Sequence, residues 1–196
     1  MALLKVCAHA LAPRGRKGRA GIWSVLLLLG CMELSAQAVT SPEYQVKAVF
    51  LFNFAQFVDW PPEAFPQAQT PLVIGILGND PFGAYLDETV RGEKVNNRPL
   101  VVHRYRRIEE IKTCHVLFIS ESEVNRLEQI LSRLQGRNIL TVSDAYGFAL
   151  EGGIIQFVTE KNKIRLRINL GAAKAVGLTI SSKLLRPAEI VGPGRG

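Results

Sequence analysis

Apolar positions crowd one early stretch of the chain, SPEYQVKAVFLFNFAQFVDWPP, residues 41–62. At about 100° per residue, Val46, Phe50, Leu51, Phe54, Phe57 and Val58 cover more than half of a helix, leaving Gln45, Asn53 and Gln56 as a narrow polar strip. Start and stop signals bracket it. Ser41 can accept a capping hydrogen bond, Pro42 suits the first helical position, Glu43 sits at the positive end of the dipole, and Pro61 and Pro62 end the run. A helix this apolar needs cover on two sides, from a sheet and from either the rest of its own domain or another chain. Phe50, Phe54, Phe57 and Trp60 therefore read first as core and second as candidates for a partner or dimer interface.

Beyond a Pro- and Gln-rich loop the pattern shortens and alternates. LVIGIL at 72–77 is a strand covered on both faces, GNDPFG is turn chemistry, and a helix follows over 82–90. Strands over 100–105, 114–119 and 138–142 follow, separated by a short helical connection at 106–113 and by an amphipathic helix from Ser120 to Gly136. In that helix Val124, Leu127, Ile130, Leu131 and Leu134 recur at spacings of three and four. Alternating strands and helices predict a mostly parallel sheet with right-handed crossovers. The pattern then changes to a hairpin, 154–159 and 164–170, with Ile164, Leu166, Ile168 and Leu170 on a buried face and Arg165, Arg167 and Asn169 on a wet one. A closing helical segment over 171–185, with a break at Gly177, completes the fold. The expected class is α/β: a single domain with a mixed six-stranded, mostly parallel sheet flanked by helices and ending in an antiparallel hairpin. It spans residues 39–187, followed by a disordered Gly/Pro-rich tail at 188–196.

Composition agrees with one domain: 196 residues, 47% of them hydrophobic, fill one core. Charge changes the picture more. The chain carries 24 basic and 17 acidic residues, but residues 1–38 hold five of the former (Lys5, Arg14, Arg16, Lys17, Arg19) and one of the latter (Glu33), which leaves 19 and 16. The basic balance is mostly a property of the N-terminal segment, which argues against nucleic acid as a partner. That segment runs from basic residues through an apolar stretch at 20–30 to Ala36-Gln37-Ala38, the form of a secretory signal peptide over 1–38. Leu28-Leu29-Gly30-Cys31 also resembles a lipobox, so lipid anchoring through Cys31 stays open beside soluble export and an uncleaved anchor. Each places the folded part outside the cytoplasm. Cleavage after Ala38 leaves Cys114 alone, which rules out an internal disulfide, and CHVLFIS points to a buried strand position for it.

Candidate chemistry is sparse. His103 and His115 have no ligand partners at metal spacing on their own elements, and His115 reads as a core histidine. The chain has no G-x-S-x-G elbow, Walker A loop or G-x-G-x-x-G, so we expect no enzyme, no metal and no cofactor. Two turns lie where open α/β sheets hold ligands. Asn79 and Asp80 follow the first strand, with Asp80 either lining a site or capping its own helix; Asp144 ends the fourth, as a ligand group or an Asx turn. The basic positions Lys163, Arg165 and Arg167 are a solvated strand face or a surface for an acidic partner.

Taken together, VKAVFLFNFAQFVDWP, ILGNDPFG, CHVLFIS, ILTVSD, FALEGGIIQFV and RLRINLGAAKAVGLTISSKLL resemble, in order and over nearly all of 44–186, the YfiR family of exported bacterial regulators. The resemblance implies a non-enzymatic, commonly dimeric α/β domain in the periplasm. It would bind the periplasmic part of an inner-membrane diguanylate cyclase or another membrane sensor, repress cyclic-di-GMP synthesis, and be released through an outer-membrane lipoprotein. One departure stands out: the resemblance implies stabilising disulfides, whereas Gly75 stands here at the first-strand position where it implies a partner for Cys114. The reading is thus a periplasmic repressor. The alternative is a small-molecule sensor with its ligand edge at Asn79, Asp80 and Asp144.

Overall fold

The computed structural model describes residues 40–161 and 163–192. The expected signal peptide at 1–38, Cys31 within it, and the last four residues lie outside them. Helix α1 (Pro42–Phe57) buries Lys47, Ala48, Leu51, Phe54 and Ala55 along one face. Ser41 occupies its N-cap position, but its side chain makes no capping bond; its carbonyl accepts from Gln45 N–H instead. The helix ends before the proline pair, because Val58 and Asp59 leave it as β1 (Val58–Asp59) to pair with a strand near the C-terminus.

Strand β2 (Leu72–Leu77) is buried throughout. Leu72, Ile74 and Ile76 enter one core and Leu77 the other, as a strand buried on both faces must divide. Helix α2 (Ala84–Val90) follows, and then a feature the sequence reading missed. β3 (Lys94–Val95) turns back onto β4 (Arg98–Tyr105) through Asn96 and Asn97, both at positive φ, the conformation of a two-residue hairpin turn.

After β5 (Val116–Ile119), the expected helix from Ser120 begins as a 3-10 turn, Glu121–Arg126, and becomes α3 only over Leu127–Leu134. The tighter winding rotates Val124 out of the apolar stripe, leaving it 48% exposed, and turns Glu123 inward. β6 (Leu140–Ser143) then leads to the hairpin of β7 (Ile155–Glu160) and β8 (Lys163–Asn169). Asn169, expected on the wet face, is buried: its amide donates to the Ala149 carbonyl, and its Oδ1 accepts from Ala172 N–H to cap α4 (Leu170–Ala175). A break at Gly177 and the short strand β9 (Thr179–Ile180), the partner of β1, separate α4 from α5 (Ser182–Leu185).

The last strand, β10 (Glu189–Val191), corrects the expectation of disorder for those three residues of the tail, since it pairs in parallel with β8; residues 193–196 lie outside the described residues. The main sheet therefore has eight strands rather than six, in the order β10-β8-β7-β6-β5-β2-β4-β3. Its centre is parallel, with antiparallel pairs at β7-β8 and β3-β4. Buried residues of α1, α2, α4 and α5 cover one face, and Leu127, Ile130 and Leu134 of α3 cover part of the other.

Candidate functional site

Open parallel sheets bind ligands where the strand order reverses, beyond the carboxyl ends of the strands. Here that point lies between β2 and β5, since β2 is followed by β4 on one side and lies beside β5 on the other. The chain fills it. Ser122 Oγ accepts from Asn79 N–H at 3.0 Å, and a Cβ on Gly78, itself at φ 90°, would lie 2.4 Å from that oxygen and 2.8 Å from Glu123 Cγ.

Asp80 and Asp144 both follow carboxyl ends of parallel strands, and both are engaged within the chain. Asp80 Oδ1 accepts from Phe82 N–H and Gly83 N–H, closing the turn before α2. Its other oxygen takes Arg104 Nε at 2.7 Å, and the same guanidinium forks onto Asp87. Asp144 Oδ2 accepts from Lys47 Nζ at 2.7 Å and from the Tyr44 hydroxyl at 2.9 Å. Tyr44 links the two turns, because its ring meets Phe82 edge-on at 5.5 Å.

Lys47 is the residue that sequence reasoning missed. It is 3% exposed, inside the apolar helix, with Glu43 one turn back at 2.7 Å and the Tyr44 ring 4.4 Å from its ammonium. Its hydrogen bond holds the Glu43 carboxyl below the usual carboxylate range, helped by Thr159. Burial and then the charge of Asp144 raise the Tyr44 phenol above its ordinary value. The legible signal was a lysine one turn after a glutamate on a helix with little polar surface. Its main partner, Asp144, lies 97 residues away. This cluster fastens the start of α1 to the carboxyl edge of the sheet, and Thr159 ties Glu43 to β7.

The four aromatic candidates do not form one patch. Phe54 is fully buried and stacks on Phe157 at 5.8 Å, so it belongs to the core and has no surface to offer a partner. Phe50, half-buried, packs on the same two rings. Phe57 lies under the Lys183 ammonium at 5.0 Å. Trp60 has left the helix and meets His115 edge-on at the amino end of the sheet. The outward stripe of α1 is instead Val46 and Val49, 48% and 42% exposed, with the partly buried Phe50 next in sequence. Val46 also lines a groove of about 390 Å3 with Pro42, Thr159 and Ile164.

At the amino end of the sheet, His115 is 1% exposed. Its Nδ1 accepts from Val73 N–H and its Nε2 donates to the Ala64 carbonyl, while its ring stacks on Phe65 at 4.4 Å. Burial holds it below the ordinary histidine range. It is a neutral core group that anchors the loop before β2. Cys114 is buried, and burial pushes its thiol up to about 12. Among the described residues no group of three or more His, Cys, Asp and Glu is placed to hold a metal, and no helix is long and apolar enough to cross a membrane.

Comparison with known families gives a match over residues 44–189, to the family described as YfiR/HmsC-like. No curated protein matches the chain. The matched residues run from Tyr44, at the start of the Lys47 cluster, to Glu189, the first residue of β10.

Proposed function

The chain belongs to the YfiR/HmsC-like family, and from that premise we propose that it is a periplasmic regulatory binding protein that represses an inner-membrane signalling protein, a diguanylate cyclase. The observation that carries the proposal is the outward stripe of α1. A helix fastened at its start by a buried ion-pair cluster and along its length by aromatic packing still presents Val46, Val49 and part of Phe50 to solvent. Fixed apolar side chains on a rigid element suit recognition, because little ordering is needed on binding.

Repression follows if this face binds the inactive state of the membrane protein more tightly than the active one, since only unequal affinity shifts such an equilibrium. Release then requires a competitor for the repressor, a role that an outer-membrane lipoprotein would fill. A homodimer would use the same stripe in self-association, which makes dimer and partner complex alternatives for one surface. The small-molecule reading at Asn79, Asp80 and Asp144 has less support, because the backbone of Asn79 and both carboxylates already have partners within the chain.

Deleting the gene tests the proposal. Cyclic-di-GMP should rise, and it should fall again on complementation with the wild-type gene but not with a Val49→Glu variant that is folded and exported. An unchanged level in the deletion strain refutes the cyclase assignment. Full complementation by Val49→Glu refutes the assigned surface.

A further inference from the structure

β8 is only partly covered at its outer edge. β10 joins it from Arg167 onward, with Glu189 opposite Arg167, Ile190 opposite Ile168 and Val191 opposite Asn169. Before that point the edge borders a cavity of about 350 Å3, closed on the other side by Arg186, Pro187 and Ala188 as the chain leaves α5. Three arginines from two separate elements line it: Arg165 and Arg167 from the strand, Arg186 from the helix end.

The charges are unevenly matched. Arg167 Nε meets Glu189 at 2.7 Å and Arg165 Nε meets Glu160 at 3.4 Å. Both pairs use the Nε side of the guanidinium, which leaves terminal amino groups to bond something else. Among the described residues Arg186 pairs with no carboxylate. A solvated strand face accounts for Arg165 and Arg167, which alternate along β8; it does not account for the third guanidinium, brought to the same cavity by the α5–β10 connection.

We propose that this notch is a binding site for a small di- or tricarboxylic acid. A planar carboxylate matches the fork of a guanidinium in two parallel hydrogen bonds, and Val158, Pro187 and Ala188 give the carbon skeleton of such a ligand an apolar wall. Glu160 and Glu189 flank the arginines and repel any anion, which a ligand with two or three carboxylates offsets by presenting one to each of several guanidinium groups, as a single phosphate group cannot. The cavity is within the usual range for small-ligand sites, about 300–1,000 Å3. This site lies apart from the α1 stripe and does not depend on it.

Calorimetric titration of the purified protein with phthalate, citrate and inorganic phosphate at constant ionic strength tests the assignment. Phthalate and citrate should bind saturably and more tightly than phosphate. Arg186→Ala should weaken them by about tenfold, the scale of one lost charge-assisted hydrogen bond. Arg165 and Arg186 are both exposed, so Arg165→Ala and Arg186→Ala should leave the thermal midpoint of the unliganded protein unchanged, which separates a binding loss from a folding loss. No saturable binding of either acid, equal binding of phosphate, or unchanged affinity in the Arg165→Ala, Arg186→Ala double variant would each overturn the proposal.

Discussion

Replacing Lys47 by Met removes the ammonium and keeps an apolar stem of similar shape, so it isolates the charge. In the native protein that ammonium lies 2.7 Å from both Glu43 and Asp144. The two carboxylates are not equivalent, since their side chains are 41% and 8% exposed. Without Lys47, Glu43 turns to water, while Asp144 keeps only the Tyr44 hydroxyl on Oδ2, and its Oδ1 already has no partner. A buried carboxylate stripped of its counter-charge costs about 3–5 kcal/mol. In a domain of this size that is a fall in thermal midpoint on the order of 10 °C. The reverse change is milder. Asp144→Asn leaves Lys47 with Glu43 and keeps a group able to accept from Tyr44, so it should cost about 1–2 kcal/mol. Urea unfolding followed by fluorescence, with Lys47→Met, Asp144→Asn and the double variant, gives all three values and their coupling. The double variant should be less destabilised than the sum of the singles. A loss under about 1 kcal/mol for Lys47→Met, or a larger loss for Asp144→Asn than for Lys47→Met, would refute the argument that Lys47 is the counter-charge Asp144 depends on.

His115 makes stability fall with acid. Its folded pKa lies below its unfolded value of about 6.5, so the unfolded chain takes up the proton first; its contribution is complete above that pH and declines as pH drops toward the folded value. Urea midpoints between pH 7.5 and 5 should fall more steeply for wild type than for His115→Asn; equal slopes would remove the histidine from the account. Gly75→Ala should destabilise by about 1–3 kcal/mol through overpacking, because a Cβ there would stand 2.7 Å from Cys114 Sγ, 2.8 Å from Tyr105 Cε2 and 3.0 Å from Leu117 Cδ1. Unfolding midpoints check this, and a neutral change would show that the pocket yields. The Cys114 thiol, buried and raised to about 12, should resist iodoacetamide at pH 8 and react at once in denaturant; rapid labelling of the folded protein, followed by intact mass, would contradict its burial. Phe54→Ala should cost about 3–5 kcal/mol, whereas Val49→Glu should leave the unfolding midpoint within about 0.5 kcal/mol while reducing self-association or partner capture.

Much of the fold was written in local pattern. The run at 72–77 had to be a doubly covered strand, because six consecutive apolar residues of strand length cannot leave a face in water. The alternation of strands and helices through Ser143 required a mostly parallel sheet. Local signals failed where a neighbour in space chose the outcome. β1 cuts α1 short because β9 is there to pair with it, and β10 orders residues read as a tail because β8 offers a free edge. Val124 was misplaced because a 3-10 turn and an α-helix share the same residues and differ only in winding.

The candidate site divides along the same line. From the sequence alone came the aromatic-rich helix, the strand-end carboxylates Asp80 and Asp144, and the arginines of β8, each as a residue type at a local position. Which of them work together was a tertiary decision. Packing sent Phe54 into the core and left Val46 and Val49 outside, gave Asp144 to Lys47 and Asp80 to Arg104, and brought Arg186 to the same cavity as Arg165 and Arg167. The physical reason is range. Periodicity and turn chemistry act over a few neighbours and are visible in the chain, whereas a charge burial or a shared cavity depends on contacts between residues far apart in sequence, which no local pattern encodes.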